Sequence, residues 1–305
     1  MPAGEAPRFR RSRIRRAFDR SAPAFSGNDF LYREMARRMG ERLDMVRIAP
    51  KQILDAGCGL GADRPMLSHR YPEAQWLGVD SSQAMLAAGC DADLATTGFF
   101  RRLLNQGRAA RSHRVCADIN ALPVAGQSMD LVWSNAALHW LDDLPETFKE
   151  LNRVLQVGGL LMFSLFGPDT LKELRLAVQQ AAPGSADRTL SFTDMHDVGD
   201  MLVNGGFSDP VMDMETLTLT YADPWQALRE LKAMGSSVAT YFAAHGLTTK
   251  RFWQQAIAHW PCDAEGRYTL TFELVQGHAW KMAPKQHEDG RAVVNFMPRP
   301  DRPAR

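Results

Sequence analysis

Apolar positions along this chain fall into two alternating patterns. Short dense runs at 52–56, 75–80, 113–117, 129–134 and 159–166 have the length and bounding turn residues of buried strands. Between them, stretches at about 62–70, 82–88 and 143–156 carry the wider spacing of helices, and Leu31, Met35 and Met39 mark an earlier one at i, i+4 and i+8. Such alternation predicts a doubly wound α/β fold, with a parallel sheet covered by helices on both faces. Past Gly167 the pattern changes. Pro168 opens a helix carrying Leu171, Leu174, Ala177 and Val178, with Asp169 in the first turn, where a negative charge suits the dipole. A short helix follows at about 194–204. Residues 210–221 then alternate apolar and polar, helices are expected at about 224–234 and 248–259, and a last alternating strand runs from Tyr268 to Val275. The two late strands suit an edge hairpin that completes a seven-stranded sheet. The segments at about 168–205 and 224–260 would form a helical lid over the strand C-termini.

Composition adds boundaries more than identity. The chain has 305 residues, 45% hydrophobic and 23% charged, with a net charge of +1, as in an ordinary globular protein. That balance argues neither for nor against nucleic acid. No run approaches the roughly eighteen apolar residues of a membrane span. The four cysteines lack paired spacing, so neither a metal site nor a disulfide framework is expected, and a reducing, cytoplasmic setting fits. Residues 1–17 read as a basic tail (Arg8, Arg10, Arg11, Arg13, Arg15 and Arg16) without the apolar core of a secretory signal, although an organellar transit peptide stays open. The main domain is expected over 18–283. Residues 284–305, with charge, proline and no periodicity, are expected to be disordered. The segment 89–112 is longer than a crossover needs and reads as an elaborated helix.

Candidate chemistry concentrates at Asp55-Ala56-Gly57-Cys58-Gly59-Leu60-Gly61, where a buried strand runs into a turn with three glycines. Such a turn lets backbone approach a ligand closely. The next strand ends in Asp80, where a doubly wound sheet presents an acid to a ribose. The spacing D-x-G-x-G-x-G differs from the dinucleotide pattern G-x-G-x-x-G, and no Lys-Ser/Thr follows to make a phosphate loop.

This pattern resembles motif I of the class I S-adenosylmethionine (SAM) methyltransferases, whose Rossmann-like seven-stranded sheet it implies. The resemblance makes SAM the cofactor. Gly57, Gly59 and Gly61 would lie along its methionine part, with Asp55 leading into the turn. Asp80 would accept the ribose hydroxyls, with Ser81 beside it. Asp118 would accept the adenine amino group with Ile119 against the ring, and Ser134 and Asn135 would border the same crevice. The stretch 130–140 and Val157 to Ser164 fit that class generally. A narrower resemblance comes from Phe166-Gly167-Pro168-Asp169-Thr170-Leu171-Lys172-Glu173-Leu174-Arg175, from 194–200, from 228–235 and from Gly277-His278-Ala279-Trp280-Lys281. These segments are similar to the malonyl-acyl-carrier-protein O-methyltransferases of early biotin synthesis.

The resemblance implies methylation of the free carboxylate of a malonyl thioester on an acyl carrier protein. Such a carboxylate is ionised near neutral pH and needs no general base. Arg175 and His139 are the candidate catalytic residues: Arg175 because its fork can hold a carboxylate, His139 because it follows the fourth strand beside Trp140. Surface pairing of Arg175 and plain packing of His139 remain open, and His196 and Arg20 are further candidates. An acidic carrier would be steered by the N-terminal arginines and by Arg101, Arg102, Arg108, Arg111 and Arg114. Where relatives carry Phe-x-Arg-Ala-Ala-x-x-Tyr, this chain places Phe25 at the Tyr position. It also has Gly235-Ser236-Ser237-Val238 in place of Gly-Ala-x-Asn. Two other readings stay open: methylation of a quinone or phenol, which would need a base such as His139 or His196, and a SAM-fold assembly factor or hydroxylase.

Overall fold

The computed structural model describes residues 10–96, 112–181, 192–235 and 249–283. Seven strands form one sheet: β1 (Gln52–Ala56), β2 (Gln75–Asp80), β3 (Ser112–Cys116), β4 (Met129–Ser134), β5 (Leu155–Phe166), β6 (Ser208–Tyr221) and β7 (Tyr268–Trp280). Their order across the sheet is β3-β2-β1-β4-β5-β7-β6. The first five are parallel, and the last two pair antiparallel. The chain reverses its direction across the sheet between β1 and β4, which opens a crevice beyond their C-terminal ends. The late strands do form a hairpin-like pair, but the last strand lies inside, between β5 and the edge strand β6.

Side chains alternate across the pleat, and the sequence supplies apolar groups for both faces. Ile53, Leu131, Trp133, Leu160 and Met162 pack on one side with Met39, Leu43 and Leu67. The latter three belong to α2 (Phe30–Leu43) and α3 (Arg64–Arg70). Leu54, Val132, Leu161 and Phe163 pack on the other side with Phe148 and Leu151 of α5 (Leu144–Val154). There Asp143 caps α5 by accepting from the Glu146 backbone N–H at 3.0 Å. The helix after β2 is α4 (Gln83–Thr96). The remainder of the expected elaboration, 97–111, lies outside the described residues, as do Arg101, Arg102, Arg108 and Arg111 and the expected tail 284–305.

A third apolar cluster caps the strand ends. It joins Leu31 and Met35 to Phe166, Leu174 and Val178 of α6 (Lys172–Ala181), Leu228 and Leu231 of α8 (Pro224–Ala233), and Ala256 of α9 (Lys250–Ala258). The expected lid is corrected at one helix. Val198 and Leu202 of α7 (Met195–Asn204) pack with Phe148 under the sheet, so α7 completes a layer and does not cover the crevice.

A larger correction concerns the N-terminus. Residues from Arg10 are not a tail: α1 (Arg10–Phe25) is a helix whose Ile14, Ala17, Ala22 and Phe25 are buried. Those positions stand at i, i+3, i+8 and i+11, one face of a helix, with the arginines around it.

Candidate active site

A cavity of about 540 Å³ opens at the C-terminal ends of β1, β2, β3 and β4. The Gly-rich turn forms its inner wall. Gly57 sits at φ +83°, and a Cβ there would lie 2.2 Å from the Ala137 Cβ. The turn after β4 therefore presses against the turn after β1 at a point that only glycine permits. Gly59 is also left-handed, at φ +52°.

Asp80 ties this wall together. Its Oδ2 accepts from the Gly59 N–H at 2.9 Å and its Oδ1 from the Ser82 N–H at 2.7 Å. Each carboxylate oxygen retains a second acceptor site for a ligand hydroxyl. Burial raises its pKa, opposed by these two backbone donors. Ser81 lines the cavity beside it. At the end of β3, Asp118 and Ile119 form the opposite wall. The Asp118 carboxylate accepts from the Asn120 N–H at 2.9 Å and pairs with the Arg11 guanidinium at 3.0 Å.

The floor is acidic beyond what the motif implies. Asp55 is buried at the end of β1, and its Oδ2 has no hydrogen-bond partner. Burial, then the neighbouring Asp63 charge, pushes its pKa well above the usual carboxylate range. Asp63 stands at the N-terminus of α3, where it accepts from the Trp133 indole N–H at 2.8 Å. Burial raises its pKa to about 6. Asp63 is absent from the residues expected above, although an acid two residues past the last glycine, at the start of a helix, is itself a local signal. Tyr32, Met85 and Trp140 on the walls were missed too, as were Arg11, Ser12, Ile14, Arg15 and Phe18 of α1.

Four of the expected site residues stand elsewhere. Gly61 is outside the lining and packs against the Arg114 guanidinium and Trp76. Ser134 is fully buried and donates to the Ala56 carbonyl at 2.8 Å, so it braces β4 against β1. Arg175 donates to the Pro168 and Thr170 carbonyls at 2.5 and 3.3 Å, a staple of the loop before α6. His139 lies among Trp140, Phe166 and Phe192, with ring centroids 4.5 to 5.5 Å away. Its Nδ1 accepts from the Phe166 N–H at 3.3 Å, and burial pushes its pKa down to about 3. Neither Arg175 nor His139 lines the cavity. Asn135 does line it, while its side chain bonds the Tyr32 carbonyl at 2.9 Å and the Ser164 hydroxyl at 2.8 Å. Arg114 of β3, expected on a docking face, lies over the Trp76 ring and donates to the Leu60 carbonyl at 3.1 Å.

The residues present fit SAM on their own chemistry. The unpartnered Asp55 oxygen and the raised Asp63 and Asp80 describe a floor short of positive charge. The cofactor's ammonium and sulfonium would supply it. Ile14, Phe18, Phe25, Met85, Ile119 and Leu141 give the apolar walls that a nucleoside requires.

Comparison with known proteins agrees. Residues 54–163 match the family described as "Methyltransferase domain". Among solved structures, the YcgJ protein of Bacillus subtilis superposes with a TM-score of 0.56 at 14% identity, over 80% of this chain and 98% of that one. A phosphoethanolamine N-methyltransferase of Haemonchus contortus, solved with S-adenosyl-L-methionine, superposes with a TM-score of 0.50 at 16% identity, over 87% of this chain and 57% of that one. At these identities the likeness concerns the fold. Sequence relatives are nearer. The malonyl-[acyl-carrier protein] O-methyltransferase of Nitrosospira multiformis is 45% identical over 90% of both chains. The Methylovorus enzyme of that name is 44% identical over 95% of both, and the Gallionella capsiferriformans enzyme 43% over 92% of this chain and 94% of its own. With the class I sheet, the SAM-fitting crevice and full-length relatives of one name, this SAM-dependent methyltransferase belongs to the malonyl-[acyl-carrier protein] O-methyltransferase family.

Proposed function

We propose that this enzyme methylates the free carboxylate of a malonyl thioester carried by an acyl carrier protein, at an early step of biotin synthesis. One observation supports a carboxylate acceptor more than any other: among the described residues, no histidine lines the cavity. A phenol or amine acceptor needs a base near the methyl group, and the cavity's own raised carboxylates, Asp55 and Asp63, would be taken up by the SAM ammonium. His139 is a neutral, enclosed ring whose pKa lies at about 3, and His196 stands at the exposed N-terminus of α7, paired with Asp194 at 2.8 Å. A malonyl carboxylate requires neither.

When bound, SAM supplies an electrophilic methyl group on a positively charged sulfur. The chain itself then has to hold, align and exclude. Asp55 and Asp63 would face the ammonium end, Asp80 the ribose, and Asp118 with Ile119 the adenine. Among the described residues, Arg11 and Arg15 of α1 are the cations lining the cavity, and they take the place expected of Arg175 as a grip for a carboxylate. Phe25 stands on the wall, at the position where the family resemblance implies tyrosine, 5.2 Å from the Tyr32 ring. Alignment with water excluded can supply roughly 7–11 kcal/mol of the barrier.

The test is transfer of labelled methyl from SAM to malonyl-loaded carrier protein, with growth of a biotin auxotroph carrying this chain as the second arm. Label in a base-labile methyl ester is expected. SAM binding without transfer to any malonyl thioester would overturn the assignment.

A further inference from the structure

Helix α1 has two unlike faces. One side, with Ile14, Phe18 and Phe25, closes the cavity. The opposite side carries Arg13, Arg16 and Arg20, all exposed and none lining the cavity, so Arg20 is not at the site for which the sequence made it a candidate. Their spacing of i, i+3 and i+7 aligns them in a single stripe about 10 Å long. None of the three makes a hydrogen bond or ion pair among the described residues.

The contrast lies one helix away. On α2, Arg33 pairs with Asp29 at 2.6 Å, and Arg37 and Arg38 each pair with Glu34 at 2.8 Å. Arg42 reaches Asp213 and Glu215 of β6. Every arginine of α2 is thus neutralised inside the molecule. Those of the α1 stripe are not, although the helix would be steadier if they were. No acidic residue stands in the first turn of α1 to meet the dipole, and its one acid, Asp19, accepts from the Ser82 hydroxyl at 2.6 Å. Like charges three and four residues apart also repel.

We propose that the outer face of α1 is a docking surface for the acidic carrier protein, with Arg13, Arg16 and Arg20 as its contact points. The assignment rests on the malonyl-carrier reading above and adds where the carrier sits. Charge complementarity suits an acidic surface laid along the stripe. The same helix carries Arg11 and Arg15 at the cavity, so a carrier seated on α1 has the entrance within about one helix diameter. The acyl arm then passes round the edge of α1 beside two cations that suit its terminal carboxylate.

The experiment compares wild type with R13E/R16E/R20E on malonyl-carrier protein and on malonyl-coenzyme A across a salt series. SAM affinity and thermal melting are measured in parallel. Reversal is expected to lower kcat/KM on the carrier substrate by on the order of tenfold or more at low salt and to flatten its salt dependence. At physiological salt, where steering of the anionic coenzyme is screened, rates on malonyl-coenzyme A and SAM affinity should stay within twofold and melting within a few degrees. R13K/R16K/R20K should retain most carrier activity, and K250E/R251E, a reversal at two exposed positions of α9, should change nothing. Unchanged carrier turnover in R13E/R16E/R20E overturns the proposal. So does an equal loss on both substrates, which marks a structural role. If wild type methylates neither thioester, the function above falls; binding of carrier protein to wild type and R13E/R16E/R20E then decides the docking surface alone, with equal affinities overturning it.

Discussion

The guanidinium of Arg11 lies 3.0 Å from the carboxylate of Asp118, joining the first helix to the end of the third strand across 107 residues of chain. Both side chains are nearly half exposed, so the pair itself adds at most about 1 kcal/mol. As the proposed adenine acceptor, Asp118 has more at stake. Asp118→Ala is expected to weaken SAM binding by about 1.5–3 kcal/mol, or roughly 10- to 150-fold, as read by calorimetry. Arg11→Ala should leave affinity within about fivefold. Equal losses in the two variants would refute Asp118 as the separate anchor of the base.

Gly57 and Ala137 form a contact with no room for a methyl group. Gly57→Ala combines that clash with a left-handed backbone that costs an L-residue about 1–2 kcal/mol. SAM binding should be lost and the melting temperature lowered. Adding Ala137→Gly removes the clash and leaves the backbone cost, so Gly57→Ala/Ala137→Gly should recover stability in part. Absence of recovery in chemical denaturation would place the strain elsewhere.

His139 is neutral when folded, with its pKa lowered by burial to about 3. Unfolding lets it protonate below about pH 6.5, so the unfolded chain takes up the extra proton and stability falls as pH drops. The expected slope is about 1.4 kcal/mol per pH unit between roughly pH 6 and 4 from this one ring. His139→Phe keeps an aromatic among Trp140, Phe166 and Phe192 and should remove that share of the slope. It should also leave methyl transfer within about threefold. A pH–rate limb that disappears in His139→Phe would instead make the ring a base.

Asp63 titrates near pH 6 because burial disfavours its charge. With a folded pKa above the unfolded one, its contribution to stability is complete below about pH 4 and fades as pH rises through 6. A cationic ligand reverses the preference and draws the proton off. SAM binding at pH 5.5 should therefore release protons and tighten between pH 5 and 7. Calorimetry in buffers of different protonation heat reads this directly. Asp63→Asn should abolish most of the release, and a release unchanged in that variant would exclude Asp63 as its source.

What the sequence disclosed follows from which signals are local. β1, β2 and β4 were legible because each is a buried run ended by turn residues, and Asp80 and Asp118 because strand ends in this fold face one crevice. Ser134 misled for the same reason: it ends a strand, but its hydroxyl turns to the Ala56 carbonyl. Helix α1 was hidden by its own composition. Arginine density reads as a solvated tail, and the spacing of Ile14, Phe18 and Phe25 means little until there is a cavity for them to close. Arg175 and His139 carry the right chemistry, yet only three dimensions reveal the carbonyls that hold one and the rings that enclose the other.

The place of β7 matters during synthesis of the chain. The gap between β5 and β6 is filled by β7, synthesised after both among the described strands, which also brings Glu273 to the Asp169 N–H at 2.6 Å and its backbone carbonyl to the Gly167 N–H at 2.9 Å. Until then, β5 and the long β6 both present open edges, the kind that pair with neighbouring chains. A transcript broken before codon 268 would yield a product with its glycine turn complete and its sheet unclosed. Such a product is a hazard to the cell more than a weak enzyme, and chaperone demand should peak in the interval between synthesis of β6 and emergence of β7.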